Sequence, residues 1–297
     1  MHIQQIAVIG AGTMGNGIAH VCIQHGFQVT LIDLSIDALE KAQLQIQKNM
    51  DRQVKKEILT SDQAAAALQL LTLSTHLETG VSNAQLVIEA ATENPTIKKS
   101  IFSSLDKAAP ADCILASNTS SISITSLAAV TQNPSRVIGM HFMNPVPVMK
   151  LVEVINAYQT SESVTTTIVA LSKQLNKVPC VVNDYPGFIA NRILMPMINE
   201  AIYSLYEGVA GVESIDTIMK LGMAHPMGPL QLADFIGLDI CKSILEVMHN
   251  GLGNPKYAPC PLLVNMVTAG NLGVKSGEGF YNYAAGADQK VVSSRFL

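Results

Sequence analysis

Short apolar runs alternate with longer segments of mixed polarity through the first half of the chain. The apolar runs are typical of buried strands and lie at residues 6–9, 28–32, 86–90, 114–117 and 137–140. Residues 36–67 contain neither Gly nor Pro and are rich in Ala, Gln, Lys and Leu, which predicts one or two helices between the second and third strands. Strands that alternate with helices form mostly parallel sheets. We therefore predict an α/β domain with a helical insertion.

The hydrophobic pattern changes after residue 184. Residues 188–207 carry apolar side chains at helical spacing and are followed by Gly208, a common helix stop. Further helical patterns lie at residues 214–221, 229–235, 239–249 and 261–269. Because no comparable strand pattern follows, we predict an α/β domain at 1–184 and an all-α C-terminal domain at 185–297.

The composition limits the possible partners. Of 297 residues, 48% are hydrophobic and 14% are charged, which is typical of large buried cores. The net charge of -4 gives no basic field for a nucleic acid or an anionic membrane surface. No apolar run reaches the roughly 18 to 20 residues that a membrane-spanning helix needs. We expect neither partner, so any bound anion must be held by a local site.

The cysteines and the N-terminus favour a cytoplasmic protein. The five cysteines are scattered, without metal-ligand or redox spacing, and their odd number cannot pair fully within one chain. We expect free thiols in a reducing compartment and no metal site. The sequence passes from Met1 to the first strand without room for a signal peptide.

A glycine motif follows the first predicted strand directly and opens a helix. It reads Gly10-Ala11-Gly12-Thr13-Met14-Gly15 and matches G-x-G-x-x-G. Its glycines allow a tight turn, close approach to a pyrophosphate and close packing of helix on strand, while the helix N-terminus receives the phosphates. The motif predicts a Rossmann-type dinucleotide site. A glycine-rich turn without a ligand is the alternative, and the strand, turn and helix in register argue against it.

Asp33 ends the second predicted strand, 18 residues beyond Gly15. A carboxylate at this position accepts hydrogen bonds from the adenosine ribose and repels a 2′-phosphate. The sequence therefore favours NAD over NADP. An aspartate that only caps a helix is the alternative interpretation.

Two ionisable residues lie within apolar strand-like segments. His141 follows residues 137–140, and Glu153 lies within residues 151–155. A buried unpaired carboxylate is costly, so Glu153 needs a partner. Asn144-Pro145-Val146-Pro147 is typical of a turn and could return the chain so that Glu153 lies beside His141.

Such a pair suits the oxidation of an alcohol. The reaction needs a base for the hydroxyl proton while hydride leaves for a nicotinamide, and imidazole with a carboxylate behind it can serve near neutral pH. A core histidine in a structural ion pair is the alternative. Ser117-Asn118-Thr119-Ser120-Ser121 ends another predicted strand, where it could line a ligand site or merely cap a helix.

With these motifs the sequence resembles the 3-hydroxyacyl-CoA dehydrogenase family, including its short bacterial 3-hydroxybutyryl-CoA dehydrogenases, over nearly its whole length. The matching segments are the glycine motif with Asp33, Val87-Ile88-Glu89-Ala90 with Glu93, Ser117 to Ser121, the block from His141 to Glu153, Pro186 to Arg192, and Lys275-Ser276-Gly277-Glu278-Gly279-Phe280-Tyr281. The block from His141 to Glu153 is the most specific of them.

The resemblance implies roles for individual residues. It makes His141 the general base and Glu153 its orienting partner, with Ser120 and Asn191 bonded to the reacting end of the substrate. Further cofactor contacts are implied for four residues: Glu93, Lys98, Asn144 and Lys275.

For the acyl-CoA the resemblance implies polar and basic residues on the helical insertion. Lys56 is the candidate, and Asn49 stands where the family can offer a hydroxyl. The family also implies a homodimer through the helical domain.

The resemblance predicts reversible oxidation of an (S)-3-hydroxyacyl-CoA, such as 3-hydroxybutyryl-CoA, by NAD to the 3-oxoacyl-CoA. One alternative is a sugar-acid dehydrogenase of the gulonate type, which shares the catalytic set. Another is a crystallin-like binding or structural protein that keeps the nucleotide site without the chemistry. Buried ionisable groups argue against the second, because a scaffold does not need them.

Overall fold

Residues 3–286 and 290–297 are described by a computed structural model of the chain. They form two compact units, an N-terminal unit, Met1–Tyr185, and a C-terminal unit, Pro186–Leu297. Within the described residues, no helix is both long and apolar enough to cross a membrane. Each of the five cysteines is a free thiol, and Cys180 is the exposed one among them.

An eight-stranded sheet forms the centre of the N-terminal unit. Its strands are β1 (Gln5–Ile9), β2 (Gln28–Ile32), β3 (Leu71–Ser74), β4 (Leu86–Glu89), β5 (Ile114–Ser117), β6 (Val137–Phe142), β7 (Leu151–Asn156) and β8 (Val178–Asn183). They lie in the order β3-β2-β1-β4-β5-β6-β7-β8. All neighbours are parallel except β6 and β7, which are antiparallel. The predicted mostly parallel sheet is confirmed.

The strands at the two edges of the sheet were not among the predicted ones. Every residue of β4, β5 and β6 is buried, as expected for strands covered on both faces, and so these strands are apolar runs. β3 contains no fully buried residue, and β8 exposes Val178 and Val181. β3 is only four residues long, and the apolar run of β8, Val178-Pro179-Cys180-Val181-Val182, contains a proline, which is atypical of a strand interior.

Helices connect the strands. They are α1 (Thr13–Gln24), α2 (Ile36–Lys55), α3 (Ser61–Leu68), α4 (Leu77–Val81), α5 (Pro95–Ala108), α6 (Ile124–Ala128) and α7 (Glu162–Gln174). The predicted insertion is the pair α2 and α3. α2 buries Leu39, Ala42, Ile46 and Met50, which lie three to four residues apart on one face. Thr60 and Gln63 form a capping box at the start of α3.

The parallel strands bring distant residues to one edge. β1, β4, β5 and β6 run in the same direction, so their carboxyl ends lie at the same side of the sheet. Gly10 follows β1, Asn118 follows β5, and His141 is the penultimate residue of β6. Ligands bind at this edge in open α/β sheets.

The C-terminal unit is helical, as predicted. Its helices are α8 (Ala190–Tyr206), α9 (Val212–Gly222), α10 (Pro229–Ile236), α11 (Leu238–Leu252) and α12 (Pro261–Thr268). The structure adds a short antiparallel pair, β9 (Tyr281–Asn282) and β10 (Val291–Val292), which no sequence pattern marked. The first helix begins at Ala190 rather than at residue 188, because Phe188 has a positive φ of 48° that a helix cannot contain.

Two buried carboxylates attach the loop of residues 280–283 to this unit. Asp234 accepts hydrogen bonds from the backbone N–H of Phe280 (3.0 Å) and Tyr281 (3.0 Å) and from the Tyr283 hydroxyl (3.0 Å). Asp216 accepts one from the Tyr281 hydroxyl (2.8 Å). Burial raises the pKa of Asp234 to about 6, although its donors favour the charged form.

The raised pKa predicts how Asp234 affects stability. Because the folded-state pKa exceeds the ordinary value of 3.8, this carboxyl stabilises the fold most below about pH 4, and the contribution is lost as the pH rises through about 6. The change amounts to about 3 kcal/mol at most. Asp234→Asn removes this titration. We therefore expect the wild type to exceed the variant in unfolding free energy by a margin that shrinks from pH 4 to pH 7.

Urea unfolding followed by tyrosine fluorescence measures that margin. Most of the 7 tyrosines lie in the C-terminal unit: Tyr203, Tyr206, Tyr257, Tyr281 and Tyr283. Asp112→Asn, at an exposed site, is the control that should leave the margin near zero. A margin for Asp234→Asn that is the same at every pH would contradict the prediction.

Candidate active site

The glycine motif forms a close turn between β1 and α1. Gly10 has a φ of +96°, which favours glycine, and a Cβ there would lie 2.7 Å from the carbonyl oxygen of Ala90. A Cβ at Gly15 would lie 1.7 Å from the Gly10 carbonyl oxygen, so α1 can pack on the turn only with glycine. Gly12 precedes α1, and nothing lies within 4 Å of a Cβ placed on it. The open side of the turn is therefore at Gly12.

A cavity of about 650 Å³ opens beside this turn, and we call it the nucleotide cavity. Its lining is mostly apolar and includes Gly10, Gly12, Thr13, Met14, Asp33, Ala91 and Ile97. Thr13 and Met14 are the first residues of α1, so the N-terminus of that helix faces the cavity. Glycine backbone, a helix N-terminus and apolar walls fit a dinucleotide with its phosphates at the helix.

Asp33 lies at the end of β2 and holds the turn. Its Oδ2 accepts a hydrogen bond from the Ala11 N–H (2.8 Å), and its Oδ1 accepts one from the Ser35 N–H (3.1 Å). The carboxylate also lines the nucleotide cavity. It therefore adds negative charge where a 2′-phosphate of the adenosine ribose would be repelled.

His141 and Glu153 face each other across the antiparallel pair of strands. They are register partners on β6 and β7, and His141 Nδ1 lies 2.8 Å from Glu153 Oε2. Their exposed fractions are 7% and 3%. The structure thus joins the two residues that the sequence only suggested as partners. A hydrogen bond from Nδ1 to the carboxylate fixes the tautomer of the neutral ring and leaves its lone pair on Nε2.

The polar segment after β5 is held by Glu93. Glu93 Oε1 accepts hydrogen bonds from the Thr119 hydroxyl (2.6 Å), the Ser120 N–H (2.9 Å) and the Ser121 N–H (3.2 Å). Asn118, at the start of the segment, accepts a bond from the Phe142 N–H (2.9 Å) beside His141. The segment that carries Ser120 is therefore ordered by contacts at both ends.

Lys98 lies on α5 with its ammonium between two carboxylates. Its side chain is 1% exposed, with Nζ at 2.7 Å from Glu89 Oε1 and 3.6 Å from Glu93 Oε2. Glu89 is buried and received no role from the sequence. The signal that marked His141 and Glu153, an ionisable residue in an apolar strand, also applied to this glutamate in Val87-Ile88-Glu89.

Lys56 follows α2 and lines a second cavity of about 650 Å³, which we call the basic cavity. Its lining contains the cationic residues Arg52, Lys56, Lys150 and Lys177, together with Asn49 and two histidines, His20 and His25. None of the described residues that line it is acidic. Lys177 is fixed there, since its Nζ donates to the Val146 (2.6 Å) and Met149 (2.8 Å) carbonyls. The charge of this lining suits an anion.

Sequence reasoning missed most of these cations. Arg52 lies in the last turn of α2, just before Lys56, and Lys150 follows the predicted turn, so each alone is an ordinary surface residue. Only the fold brings α2 beside the connection between β6 and β7. Burial also lowers the pKa of Lys177 below its ordinary value.

The remaining predicted site residues have different settings. Asn144 is exposed and precedes the cis peptide bond to Pro145 in the connection between β6 and β7. Asn191 and Lys275 belong to the C-terminal unit. Asn191 is buried in the first turn of α8, and Lys275 forms an ion pair with Asp239. The contacts of these residues with a ligand stay predictions.

No metal centre is found in residues 3–286 and 290–297, since no three His, Cys, Asp or Glu side chains there are grouped to hold an ion. The N-terminal unit contains both the His141–Glu153 pair and the nucleotide cavity. An imidazole with its lone pair on Nε2 can exchange a proton, and the nucleotide can exchange a hydride.

Comparisons with known proteins agree with this geometry. The chain is 51% identical over 281 residues to the 3-hydroxybutyryl-CoA dehydrogenase of Bradyrhizobium diazoefficiens, covering 95% of this chain and 96% of that protein. It is 42% identical over 287 residues to the mitochondrial hydroxyacyl-coenzyme A dehydrogenase of Homo sapiens, covering 95% and 91%. The crystal structure of (S)-3-hydroxybutyryl-CoA dehydrogenase PaaH1 from Ralstonia eutropha is similar, with a TM-score of 0.93, 49% identity and coverage of 95% and 100%.

Family models match both units. The model of the 3-hydroxyacyl-CoA dehydrogenase NAD binding domain matches residues 5–185, and that of the 3-hydroxyacyl-CoA dehydrogenase C-terminal domain matches residues 187–283. The resemblance seen in the sequence motifs is thereby confirmed. Since the two models together span nearly the whole chain, it belongs to the 3-hydroxyacyl-CoA dehydrogenase family, with that family's NAD-binding domain as its N-terminal unit.

Proposed function

We propose that this chain oxidises (S)-3-hydroxyacyl-CoA thioesters, with 3-hydroxybutyryl-CoA as the short-chain substrate, to 3-oxoacyl-CoA in a reversible NAD-dependent reaction. The observation that carries the proposal is the buried His141–Glu153 pair, with Nδ1 and Oε2 2.8 Å apart, in a chain that also has a nucleotide cavity. The 3-hydroxybutyryl-CoA dehydrogenases among its relatives support the same substrate class.

His141 acts as the general base in this proposal. Its Nε2 takes the proton of the substrate hydroxyl as the C3–H bond breaks, and Glu153 stabilises the imidazolium that forms. When bound, NAD accepts the hydride from carbon 3. In the reverse direction the imidazolium returns the proton to the new alkoxide, so protons and electrons balance in both directions.

The other predicted site residues serve binding. Ser120 and Asn191 hydrogen-bond the oxygen at carbon 3, while Glu93, Asn144 and Lys275 contact the cofactor. Lys98, whose ammonium lies 3.6 Å from Glu93 Oε2, is proposed to contact the cofactor as well. Asp33 favours NAD over NADP because its carboxylate would repel the 2′-phosphate that NADP carries on its adenosine ribose.

We also propose that the basic cavity receives the phosphates of CoA. Its cations Arg52, Lys56 and Lys150 face no acidic residue in the described lining, and phosphate groups are bound by such clusters. This feature separates the proposal from a sugar-acid dehydrogenase, whose substrate carries no phosphates. The five free thiols support a reducing compartment, and we place the protein in the cytoplasm.

A homodimer is proposed through the C-terminal unit. Val209 and Leu221 are 73% and 81% exposed, and Ile218 lies one turn before Leu221 on α9. Large exposed apolar side chains are typical of an interface where they form a patch, and a second copy offers the same surface in return.

The substrate class can be tested by following NADH consumption with acetoacetyl-CoA, acetoacetate and a gulonate-type sugar acid. We expect turnover with the thioester and little with either free acid. His141→Gln should lower kcat by about 100- to 10,000-fold, because it removes the base, and should leave NADH binding intact. No turnover of the thioester by the wild type would refute the proposed function, and near-normal activity of the variant would refute the role of His141.

The basic cavity can be tested with the double variant Arg52→Gln/Lys56→Gln. Each lost charged hydrogen bond is worth about 1.5–3 kcal/mol, so KM for acetoacetyl-CoA should rise roughly tenfold or more. KM for acetoacetyl-pantetheine, which lacks the nucleotide, and KM for NADH should not change. Lys41→Gln/Lys48→Gln makes the same charge change at exposed sites of the same helix and is the control. Equal effects of the two double variants would contradict a specific phosphate site.

The dimer can be tested by sedimentation. The wild type should sediment at twice the monomer mass, and Leu221→Asp should weaken the association by placing a charge in an apolar interface. Leu44→Asp, at an exposed apolar position of α2, is the matched control and should not alter the mass. A monomeric wild type at micromolar concentration would exclude the proposed assembly.

A further inference from the structure

Glu89 is a fully buried carboxylate at the carboxyl end of β4. Its exposed fraction is 0%, and its register neighbours are Ile9 on β1 and Ser117 on β5. It therefore lies in the middle of the sheet, directly between the strand that precedes the glycine turn and the strand that precedes the Ser120 segment. A carboxylate without partners would be very unfavourable at this position.

Every partner of Glu89 is itself part of the carboxyl edge. Oε1 accepts a hydrogen bond from the Ala91 N–H (2.8 Å), and Oε2 accepts one from the Ser117 hydroxyl (2.7 Å). Lys98 Nζ lies 2.7 Å from Oε1 and 2.9 Å from Oε2. Ala91 lines the nucleotide cavity. One carboxylate thus fixes the loop after β4, the end of β5 and the first turns of α5.

Lys98 passes this constraint to Glu93. Its 1% exposed ammonium lies between the two carboxylates, with Glu93 Oε2 at 3.6 Å. Glu93 in turn uses Oε1 to hold the Ser120 N–H and the Ser121 N–H. A continuous series of contacts therefore runs from Glu89 through Lys98 and Glu93 to the backbone of Ser120.

A second buried ion pair shows that burial alone does not explain this arrangement. Arg136 and Asp106 lie 2.9 Å apart with both side chains 6% exposed. Arg136 donates to the carbonyls of Pro110 and Cys113, which precede β5, so this pair lies at the amino edge of the same sheet. Its hydrogen bonds reach Pro110, Ala111, Cys113 and Gln132, none of which lines the nucleotide cavity or the basic cavity or lies within residues 117–121.

We propose that Glu89 is a positioning residue of the dehydrogenase reaction. Through Lys98 and Glu93 it sets the position of residues 119–121, and so of Ser120 at the reacting end of the substrate. A misplacement of about 1 Å at such a position can lower turnover about 100-fold. The effect on turnover rests on the proposed role of Ser120, whereas the effect on the order of residues 119–121 does not.

Glu89→Gln tests the proposal, with Asp106→Asn as the matched control. Glutamine keeps the size of the side chain and an acceptor for the Ala91 N–H but removes the charge that holds Lys98. Both variants break a buried ion pair in the same sheet, and we expect similar losses of thermal stability. With acetoacetyl-CoA and NADH, kcat of Glu89→Gln should fall about 10- to 100-fold, and kcat of Asp106→Asn should stay within about twofold of the wild type.

Hydrogen exchange supplies a readout that does not depend on activity. In Glu89→Gln the amides of Ser120 and Ser121 should exchange about tenfold faster, because Glu93 loses its fixed ammonium, whereas Asp106→Asn should not affect them. Should the wild type fail to reduce acetoacetyl-CoA, the proposed function would be wrong, and these amides would still decide the positioning role. Unchanged exchange in Glu89→Gln would overturn the proposal.

The double variant Glu89→Gln/Lys98→Met separates positioning from stability. It removes both buried charges, so thermal stability should return toward the wild type, as when apolar groups replace a buried ion pair. Turnover should stay low, since Glu93 still lacks the ammonium of Lys98. Recovery of kcat together with stability would overturn the proposal, and the same double variant serves if Glu89→Gln alone does not fold.

Discussion

Charge burial at the carboxyl edge of the sheet is the constraint on which the N-terminal unit depends. Glu89 and Glu153 are 0% and 3% exposed, and a carboxylate in such a place is tolerated only with nearby donors or cations. Each has them: Lys98 and Ser117 for the first, His141 for the second. Meeting that requirement fixes side chains from β4, β5, β6, β7 and α5 relative to one another. The same contacts that make the burial tolerable therefore give the site its geometry.

The strand order determines which of these contacts are possible. β6 and β7 are antiparallel neighbours, so a twelve-residue separation in sequence becomes a direct register pair of His141 and Glu153. β4 and β5 are parallel neighbours, so Glu89 and Ser117 end at the same level. Because this edge also carries the glycine turn, the His141–Glu153 pair and the nucleotide cavity are built on one sheet. Rigid elements hold such groups more accurately than loops do.

The parts of the fold that the sequence predicted are those marked by a hydrophobic pattern or by a residue type that the backbone requires. The buried strands β1, β4, β5 and β6 are apolar runs. The turn after β1 requires glycine where a Cβ would clash with the backbone, as at Gly15. The partnership of His141 and Glu153 followed from the cost of burying an unpaired carboxylate. By contrast, β3 and β8 are edge strands without a fully buried face, and Arg52 and Lys150 become neighbours only in the fold. Glu89 could have been predicted as a site residue, because it too is an ionisable residue in an apolar strand.

The nucleotide cavity and the basic cavity differ in local charge, which a net charge of -4 does not describe. NAD and CoA both contain an adenosine diphosphate, so apolar contacts with adenine cannot tell them apart. In their adenosine halves they differ by the additional phosphate that CoA carries on its ribose. In the nucleotide cavity Asp33 opposes such a phosphate, whereas the basic cavity presents Arg52, Lys56 and Lys150. On the proposed function, opposite local charges would direct each molecule to its own cavity, because fields at this range depend on nearby groups rather than on the net charge.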